Sequence, residues 1–189
     1  RGAVIVANDI EPRHLIILRQ RTPKEYYKNL YLDASAFPKE TNFPNDTFGA
    51  VLMCRVAHLF TPEEMELSLD KIEKILKPGG KLYITTISPY HHEFANFQEI
   101  YNERWEKGIK WPGVITNLKD YLPNISDIIP NYAHIMDDRP LVDALTKHGF
   151  LIEKSLFYDY VRPNKSLRTG KEYYGVIAVK KDITSNNEQ

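Results

Sequence analysis

Four short apolar runs in the first half of the chain constrain the fold more than any other sequence feature. They are residues 3–7, 29–32, 48–53 and 81–87. Each run has the length of a buried strand, and helix-like segments lie between several of them. This alternation is typical of a parallel sheet that is covered by helices. Ligands of such sheets bind at the carboxyl ends of the strands, so we expect functional side chains directly after each run.

Composition narrows the classes of function. A chain of 189 residues is long enough for a single domain with a substantial core, and we predict one domain over 1–189. Lys plus Arg and Asp plus Glu are both 25, so no general attraction to nucleic acid or to an anionic membrane is indicated. The one cysteine, Cys54, cannot form an internal disulfide, which is compatible with a reducing compartment. No apolar run has membrane-spanning length. We therefore expect a cytoplasmic protein.

Capping signals mark several helix boundaries. Glu11-Pro12 predicts a helix start, and that helix should end before Thr22-Pro23. Thr61-Pro62-Glu63-Glu64 predicts a second helix that opens with a capping box. Pro78-Gly79-Gly80 predicts a turn between this helix and the next strand. Later in the chain we predict a helix from 138 to 148 and strands at 150–158 and 173–180.

Residues 88–139 interrupt the alternation of strands and helices. This segment contains four prolines, both tryptophans and three histidines, and residues 94–105 predict an amphipathic helix within it. We interpret the segment as a helical insertion that covers an apolar acceptor pocket, which suits a small molecule better than a long polymer. The connector 162–170 is basic and predicts a solvated loop, and the polar end, 182–189, predicts a flexible tail.

Taken together, these segments resemble the class I S-adenosylmethionine-dependent methyltransferases. The resemblance covers roughly residues 2–180 and depends on the order of segments 4–10, 32–34, 48–59 and 76–82, the last of which reads Leu-Lys-Pro-Gly-Gly-Lys-Leu. It implies a Rossmann-like α/β fold with a mostly parallel seven-stranded sheet. In the family's numbering the strand order is 3-2-1-4-5-7-6, with strand 7 antiparallel. It also implies S-adenosyl-L-methionine as cofactor and S-adenosyl-L-homocysteine as product.

The chain departs from the family at its beginning. The family's first strand carries a glycine-rich loop that wraps the methionine end of the cofactor, and no segment of this chain resembles it. Gly2 resembles a position just after the family's first helix. A parallel sheet without its central strand would leave backbone groups unpaired, so we expect the natural protein to be longer than this chain. The alternative is a degenerate domain that binds or regulates a partner.

The resemblance implies four cofactor-binding residues in the first part of the chain. Asp9 would accept hydrogen bonds from the ribose hydroxyls, and Ile10 would pack on the adenine face. Asp33 would accept a hydrogen bond from the adenine amino group, and the backbone N–H of Ala34 would face a ring nitrogen. The alternatives are a capping or turn role for each aspartate and a core role for Ile10.

The end of the third apolar run would lie near the reactive end of the cofactor. Cys54 and Arg55 are expected to bind it there, through backbone contacts rather than side-chain chemistry. The side chains expected to contact the acceptor are His58, Tyr90, Tyr101 and Trp105. A packing role is the alternative for His58, and a place in the core of an amphipathic helix is the alternative for Trp105.

His91 and His92 follow the fourth run, in the loop that in the family helps to form the acceptor pocket. A neutral imidazole can take a proton from a hydroxyl, amine or carboxyl acceptor, so we predict both histidines as catalytic residues. The alternative is a solvent-exposed pair at the start of a helix. A metal site made by His91, His92 and His134 matches no standard ligand spacing, so we expect no metal.

The leading hypothesis is an S-adenosylmethionine-dependent methyltransferase that acts on a small molecule, without nucleic-acid or membrane partners. Methylation of a protein or peptide is the alternative within this class. A catalytically degenerate domain that binds or regulates a partner is the alternative outside it. A nucleotide-sugar or NAD enzyme is disfavoured by the Lys-Pro-Gly-Gly turn together with Asp33-Ala34.

Overall fold

The computed structural model describes residues 2–124, 129–159 and 170–182. These residues form two compact units, 1–43 and 44–189, which are described in turn. Of the predicted connector 162–170 and the predicted tail 182–189, residues 162–169 and 183–189 lie outside the described residues. Within the described ranges, no helix is both long enough and apolar enough to cross a membrane.

The first unit is built on a parallel pair of strands. Its elements are β1 (Ile5–Asn8), α1 (Pro12–Arg21), a 3-10 helix (Lys24–Asn29) and β2 (Leu30–Asp33). In the β1–β2 pairing Asn8 lies opposite Asp33, so both strands end at the same level. The Glu11 carboxylate accepts a hydrogen bond from the Arg13 backbone N–H and caps α1, as the Glu11-Pro12 signal predicts.

The second unit contains a four-stranded sheet, the helices that connect its strands, and an insertion. Its elements are β3 (Phe48–Cys54), α2 (Pro62–Ile75), β4 (Leu76–Ile87), α3 (Gln98–Glu106), β5 (Val114–Ile115), α4 (Leu118–Tyr121), β6 (Ala133–His134), α5 (Asp138–Lys147), β7 (Phe150–Tyr158) and β8 (Tyr173–Lys180). The sheet order is β3-β4-β8-β7. β3 and β4 are parallel, and β8 is antiparallel to both of its neighbours.

The observed pairings agree with the predicted α/β class. The β2–β1 pair matches the first two strands of the predicted order, and β3-β4-β8-β7 matches its last four, including the antiparallel strand. The eight described strands form one four-stranded and two two-stranded sheets rather than one sheet of seven. The short β5–β6 pair belongs to the insertion and was not expected from the sequence.

The predicted turn at Pro78-Gly79-Gly80 is wrong in one respect, because it lies inside β4 instead of before it. Phe48 of β3 pairs with Leu76 and Ala50 pairs with Lys81, so β4 carries extra residues opposite a short stretch of β3. Gly79 has a φ of +71°, which suits glycine in an irregularity of this kind. The Pro-Gly-Gly signal therefore produces a bulge that leads into the regular part of the strand.

The helix α2 packs one apolar face into the core and has the predicted cap. The Thr61 hydroxyl accepts from the Glu64 backbone N–H, and the Glu64 carboxylate accepts from the Thr61 backbone N–H. Met65, Leu69 and Ile72 are fully buried along one side of the helix. Their spacing of three or four residues places them on one helical face.

The insertion has a core of its own. The predicted amphipathic helix is divided into a 3-10 helix (His92–Phe97), which is kinked at Phe94, and α3. Apolar side chains from α3, β5, α4 and β6 pack together with this 3-10 helix: Phe94, Phe97, Tyr101, Ile115, Leu118, Ala133 and Ile135. The insertion is thus a packed layer rather than an open loop.

Candidate functional site

In the first unit, two aspartates lie at the ends of paired strands. Asp9 directly follows β1, and Asp33 is the last residue of β2. The Asp9 backbone N–H donates to the Asp33 carbonyl oxygen at 3.2 Å, which holds the two residues together. Asp9 Oδ1 accepts from the Glu11 backbone N–H at 2.9 Å, and its Oδ2 lies 3.1 Å from His14 Nδ1. Asp9 therefore has the turn role that was an alternative to cofactor binding, while its side chain stays 36% exposed.

The Asp33 side chain is held by two neighbours. Its Oδ2 accepts from Asn8 Nδ2 at 3.1 Å and from Ser35 Oγ at 2.8 Å. Asp33 Oδ1 accepts no hydrogen bond from any described residue. A carboxylate that is oriented through one oxygen and open at the other suits the binding of an amino or hydroxyl donor.

Ile10 and Ala34 are both exposed next to these aspartates. Ile10 is 73% exposed, which excludes the core role that was its alternative. Ala34 directly follows β2 and is also exposed. An apolar side chain and two oriented carboxylates therefore lie at the same end of the β1–β2 pair.

In the second unit, β3 ends in an unusual backbone conformation. Cys54 is exposed and pairs with Thr85 of β4. Arg55 has a φ of +56°, a left-handed conformation that is uncommon for a residue with a side chain. Its backbone N–H donates to the Thr85 carbonyl oxygen at 2.8 Å, and its guanidinium lies 5.2 Å from the centre of the Tyr173 ring. Backbone strain of this kind is concentrated at functional sites.

His58 lies in a short 3-10 helix (Ala57–Leu59) and is partly buried. Its Nδ1 atom is buried and has no hydrogen-bond partner among the described residues. Burial, and secondarily the charge of Arg55, lowers the pKa of His58 to about 4. A neutral, packed imidazole favours the structural alternative for His58 over contact with a substrate.

His91 and His92 converge on one buried carboxylate. The side chain of Glu172, which is 1% exposed, directly precedes β8. Its Oε2 lies 2.8 Å from His92 Nδ1 and 3.3 Å from His91 Nε2. The two imidazole rings stack with their centroids 4.6 Å apart. The structure therefore brings the two predicted catalytic residues together and adds a third group.

The two histidines differ in burial. His91 is 8% exposed, and burial lowers its pKa against the opposing influence of Glu172 and Glu93. The His92 side chain is 36% exposed, and its backbone N–H also donates to Glu172 Oε2. His92 thus combines access to solvent with an anchored ring. The pair stands at the start of a helix, as the alternative predicted, but His91 is buried rather than solvent-exposed.

Aromatic side chains surround this end of the sheet. Tyr90 is half-buried and meets the Phe157 ring edge to face at 5.5 Å. The Lys171 ammonium lies 5.5 Å from the centres of both rings. The Tyr173 ring packs edge to face against His91 at 5.6 Å. The histidine pair is therefore bordered by the aromatic side chains of Tyr90, Phe157 and Tyr173.

Tyr101 and Trp105 have different environments on α3. Tyr101 is fully buried, and its hydroxyl donates to Asp137 Oδ1 at 2.8 Å. Trp105 is partly exposed, and the Arg139 guanidinium lies 5.8 Å from its ring centre and 5.0 Å from that of Tyr101. Complete burial favours a structural role for Tyr101, whereas Trp105 keeps surface that a ligand can contact.

His134 does not join the other two histidines. Its Nδ1 donates to the Phe60 carbonyl oxygen at 2.9 Å, and its ring packs against Trp111 at 4.9 Å. Glu172, rather than His134, lies beside His91 and His92. Sequence reasoning did not single out Glu172, which lies 80 positions after His92. The feature that would have identified Glu172 is the antiparallel pairing of Ile87 with Tyr173. This pairing brings the residues after β4 beside those before β8.

Comparisons with known proteins agree with this architecture. Residues 1–84 match a sequence model of the family described as a methyltransferase domain. No curated protein matches the sequence of the chain. A crystal structure of an S-adenosylmethionine-dependent methyltransferase from Mesorhizobium loti is similar, with a TM-score of 0.69 and 14% identity over 94% of this chain and 81% of that one.

Two further solved structures are similar. A SAM-dependent methyltransferase from Methanosarcina mazei has a TM-score of 0.63 and 19% identity, over 93% of this chain and 81% of that one. The 1,6-didemethyltoxoflavin-N1-methyltransferase from Burkholderia thailandensis, solved with 1,6-didemethyltoxoflavin and S-adenosylhomocysteine, has a TM-score of 0.59 and 16% identity, over 96% and 63%. The resemblance to the class I methyltransferases and the Rossmann-like α/β fold are thereby confirmed.

Proposed function

We propose that this chain, which has the fold of the S-adenosylmethionine-dependent methyltransferases, transfers a methyl group to a small-molecule acceptor. The observation that carries the proposal is the pair of aspartates at the ends of β1 and β2, joined by the Asp9 N–H to Asp33 carbonyl hydrogen bond. Acidic residues at this position of a nucleotide-binding α/β fold bind ribose hydroxyls. A solved structure with the same fold contains S-adenosylhomocysteine.

The cofactor side of the proposal uses the residues that the resemblance to the methyltransferases implies. Asp9 would accept from the ribose hydroxyls and Ile10 would cover the adenine ring. Asp33 would accept from the adenine amino group through its open Oδ1, and Ala34 would contribute its backbone. Cys54 and Arg55 would contact the methionine end through the backbone. When bound, S-adenosylmethionine supplies an already activated methyl group, so the chain need only orient the acceptor and manage its proton.

The residues proposed to contact the methyl acceptor lie mainly in the segment that follows β4. The hydrogen bond from His92 Nδ1 to the buried Glu172 carboxylate orients the ring and leaves Nε2 available to take a proton. The neighbouring His91 and the aromatic Tyr90 would line the same region, with Trp105 as a further contact on α3. A small, partly apolar acceptor with a hydroxyl, amine or carboxyl group fits these side chains. We also propose a cytoplasmic location, from the absence of a disulfide-forming cysteine pair.

The test is a measurement of S-adenosylhomocysteine formation by the full-length protein with panels of small acceptors and of peptides. We expect turnover with a small acceptor, and a reduction of about 100-fold in His92→Ala, since general acid–base groups contribute on this order. His148→Gln, which changes a histidine outside the cluster, is the matched control and should retain activity. Turnover only with peptides would favour the protein methyltransferase alternative, and cofactor binding without turnover in either panel would favour a degenerate binding domain.

A further inference from the structure

The cluster at the end of β4 has the composition of a metal site as well as that of a proton acceptor. His91, His92 and Glu172 each offer one ligand atom, and these atoms lie within 4.8 Å of one another. Two imidazole nitrogens and one carboxylate oxygen are a donor set that Zn²⁺ and neighbouring divalent transition metals bind. No other group of this kind is found in the described parts of the chain.

The separations between these atoms suit a shared ion. Metal–ligand bonds of about 2.0–2.2 Å place neighbouring ligand atoms roughly 3.0–3.5 Å apart. Glu172 Oε2 lies 2.8 Å from His92 Nδ1 and 3.3 Å from His91 Nε2. All three ligand atoms lie within 4.8 Å of one another, so binding of one ion requires the stacked rings to turn until both nitrogens point at it. We propose that His91, His92 and Glu172 bind one divalent transition-metal ion, with Zn²⁺ as the representative case.

The surroundings of the cluster hold these ligands in place. The Ser88 backbone N–H donates to the Glu172 carbonyl oxygen at 3.1 Å, and the Ser88 hydroxyl donates to the Lys171 carbonyl oxygen. The His91 backbone N–H donates to the Ser88 carbonyl oxygen at 3.2 Å. The ends of β4 and β8 are thereby fastened to each other, so the ligands from both strands are presented together.

A second carboxylate lies behind His91. Glu93 Oε2 is 3.5 Å from His91 Nδ1, on the side of the ring opposite to the Nε2 atom that faces Glu172. In this structure His91 Nδ1 accepts the Glu93 backbone N–H at 3.3 Å. Binding of an ion at Nε2 moves the ring proton to Nδ1, and the Glu93 carboxylate then replaces that N–H as the partner that fixes the ring.

The ion would retain an open position on the exposed side of His92. Three protein ligands and a replaceable water are the pattern of a catalytic rather than a structural zinc site. This extension rests on the proposed function: an acceptor hydroxyl or carboxyl oxygen would take the open position, and the charge of the ion would lower the pKa of that oxygen. With the ion bound, His92 would hold it through Nδ1 instead of accepting the proton through Nε2, and the acceptor proton would pass to solvent.

Metal binding is tested by titrating chelator-treated full-length protein with Co²⁺, followed by visible absorption, and by competition with Zn²⁺ in a calorimeter. We expect one ion per chain, with affinity reduced about 100-fold in His92→Phe and in Glu172→Gln, since each removes a direct ligand. His148→Gln is the matched control. It also removes a histidine that contacts carboxylates, Glu66 and Asp70, but this histidine lies outside the proposed metal site.

Circular dichroism of each variant establishes that it is folded, and His92→Phe provides the test if Glu172→Gln does not fold. Absence of Co²⁺ and Zn²⁺ binding to the parent protein would overturn the proposal. Binding that both ligand variants retain would also overturn it, because the ion would then lie elsewhere. Titration of the same samples with S-adenosylhomocysteine tests cofactor binding separately. The metal proposal and the proposed function can therefore fail independently of each other.

Discussion

At the residue scale, the hydroxyl of Tyr101 is expected to stabilise the insertion. It donates to the fully buried Asp137 carboxylate at 2.8 Å. Tyr101→Phe leaves that buried oxygen with one donor fewer, so we expect the free energy of unfolding to fall by about 1–3 kcal/mol. Urea unfolding measures the change. Tyr26→Phe, at a side chain that is 52% exposed, should change it by less than about 0.5 kcal/mol, and equal effects of the two changes would contradict this role for Asp137.

His134 is expected to make stability depend on pH. Burial lowers its pKa to about 4 from an ordinary value of 6.5. Below pH 6.5 the unfolded chain therefore binds a proton that the folded chain does not, and stability falls as the pH is lowered from about 6.5 to about 4. At about 1.36 kcal/mol per pKa unit, the loss from this residue is about 3 kcal/mol.

The measurement for His134 is urea unfolding of the parent protein and of His134→Gln at several pH values. Glutamine keeps a donor for the Phe60 carbonyl oxygen but does not titrate. We expect the difference in stability between the two proteins to shrink as the pH falls through this window. Parallel curves would show that protonation of His134 does not destabilise the fold.

At the element scale, the β5–β6 pair depends on a glycine. A Cβ atom added to Gly113 would lie 1.8 Å from the Ile135 carbonyl oxygen, a distance that requires the backbone to move. The Ile135 backbone N–H donates to the Gly113 carbonyl oxygen at 3.0 Å, so the two segments are hydrogen-bonded at the same place. Gly113→Ala should therefore lower the free energy of unfolding by about 2 kcal/mol or more.

Thermal and urea unfolding of Gly113→Ala are compared with Gly49→Ala, a change in β3 where a Cβ atom meets nothing within 4 Å. The control should lie within about 1 kcal/mol of the parent protein. Similar stability of the two variants would mean that the insertion accommodates the extra methyl group without cost.

The regular elements were largely predictable from local signals. β7 and β8 have the predicted bounds, because an apolar pattern begins after Gly149 and the last strand has no charged residue before Lys180. The start of β4 was not predictable, since Pro-Gly-Gly is typical of a turn and only its pairing with β3 reveals a bulge. The two-residue strands β5 and β6 are too short to show any periodicity, so they depend on tertiary contacts.

At the scale of the whole molecule, the site was predictable only where it is local in sequence. Asp9 and Asp33 follow recognisable strands, and His91 and His92 follow a third. Glu172 was missed because no short motif links it to the histidines, and the β4–β8 pairing brings it beside them. The fold is confirmed by similarity to solved methyltransferases, whereas the roles of these side chains stay predictions.

The central claim is that the chain binds the methyl donor through its first two strands. Calorimetric titration of S-adenosylhomocysteine into the full-length protein tests it most directly. We expect binding of about −8 kcal/mol, in the micromolar range, that is weakened at least about tenfold in Asp9→Ala and Asp33→Ala and retained in the exposed control Glu25→Gln. A folded full-length protein that does not bind, or binding that both aspartate variants retain unchanged, would contradict the account.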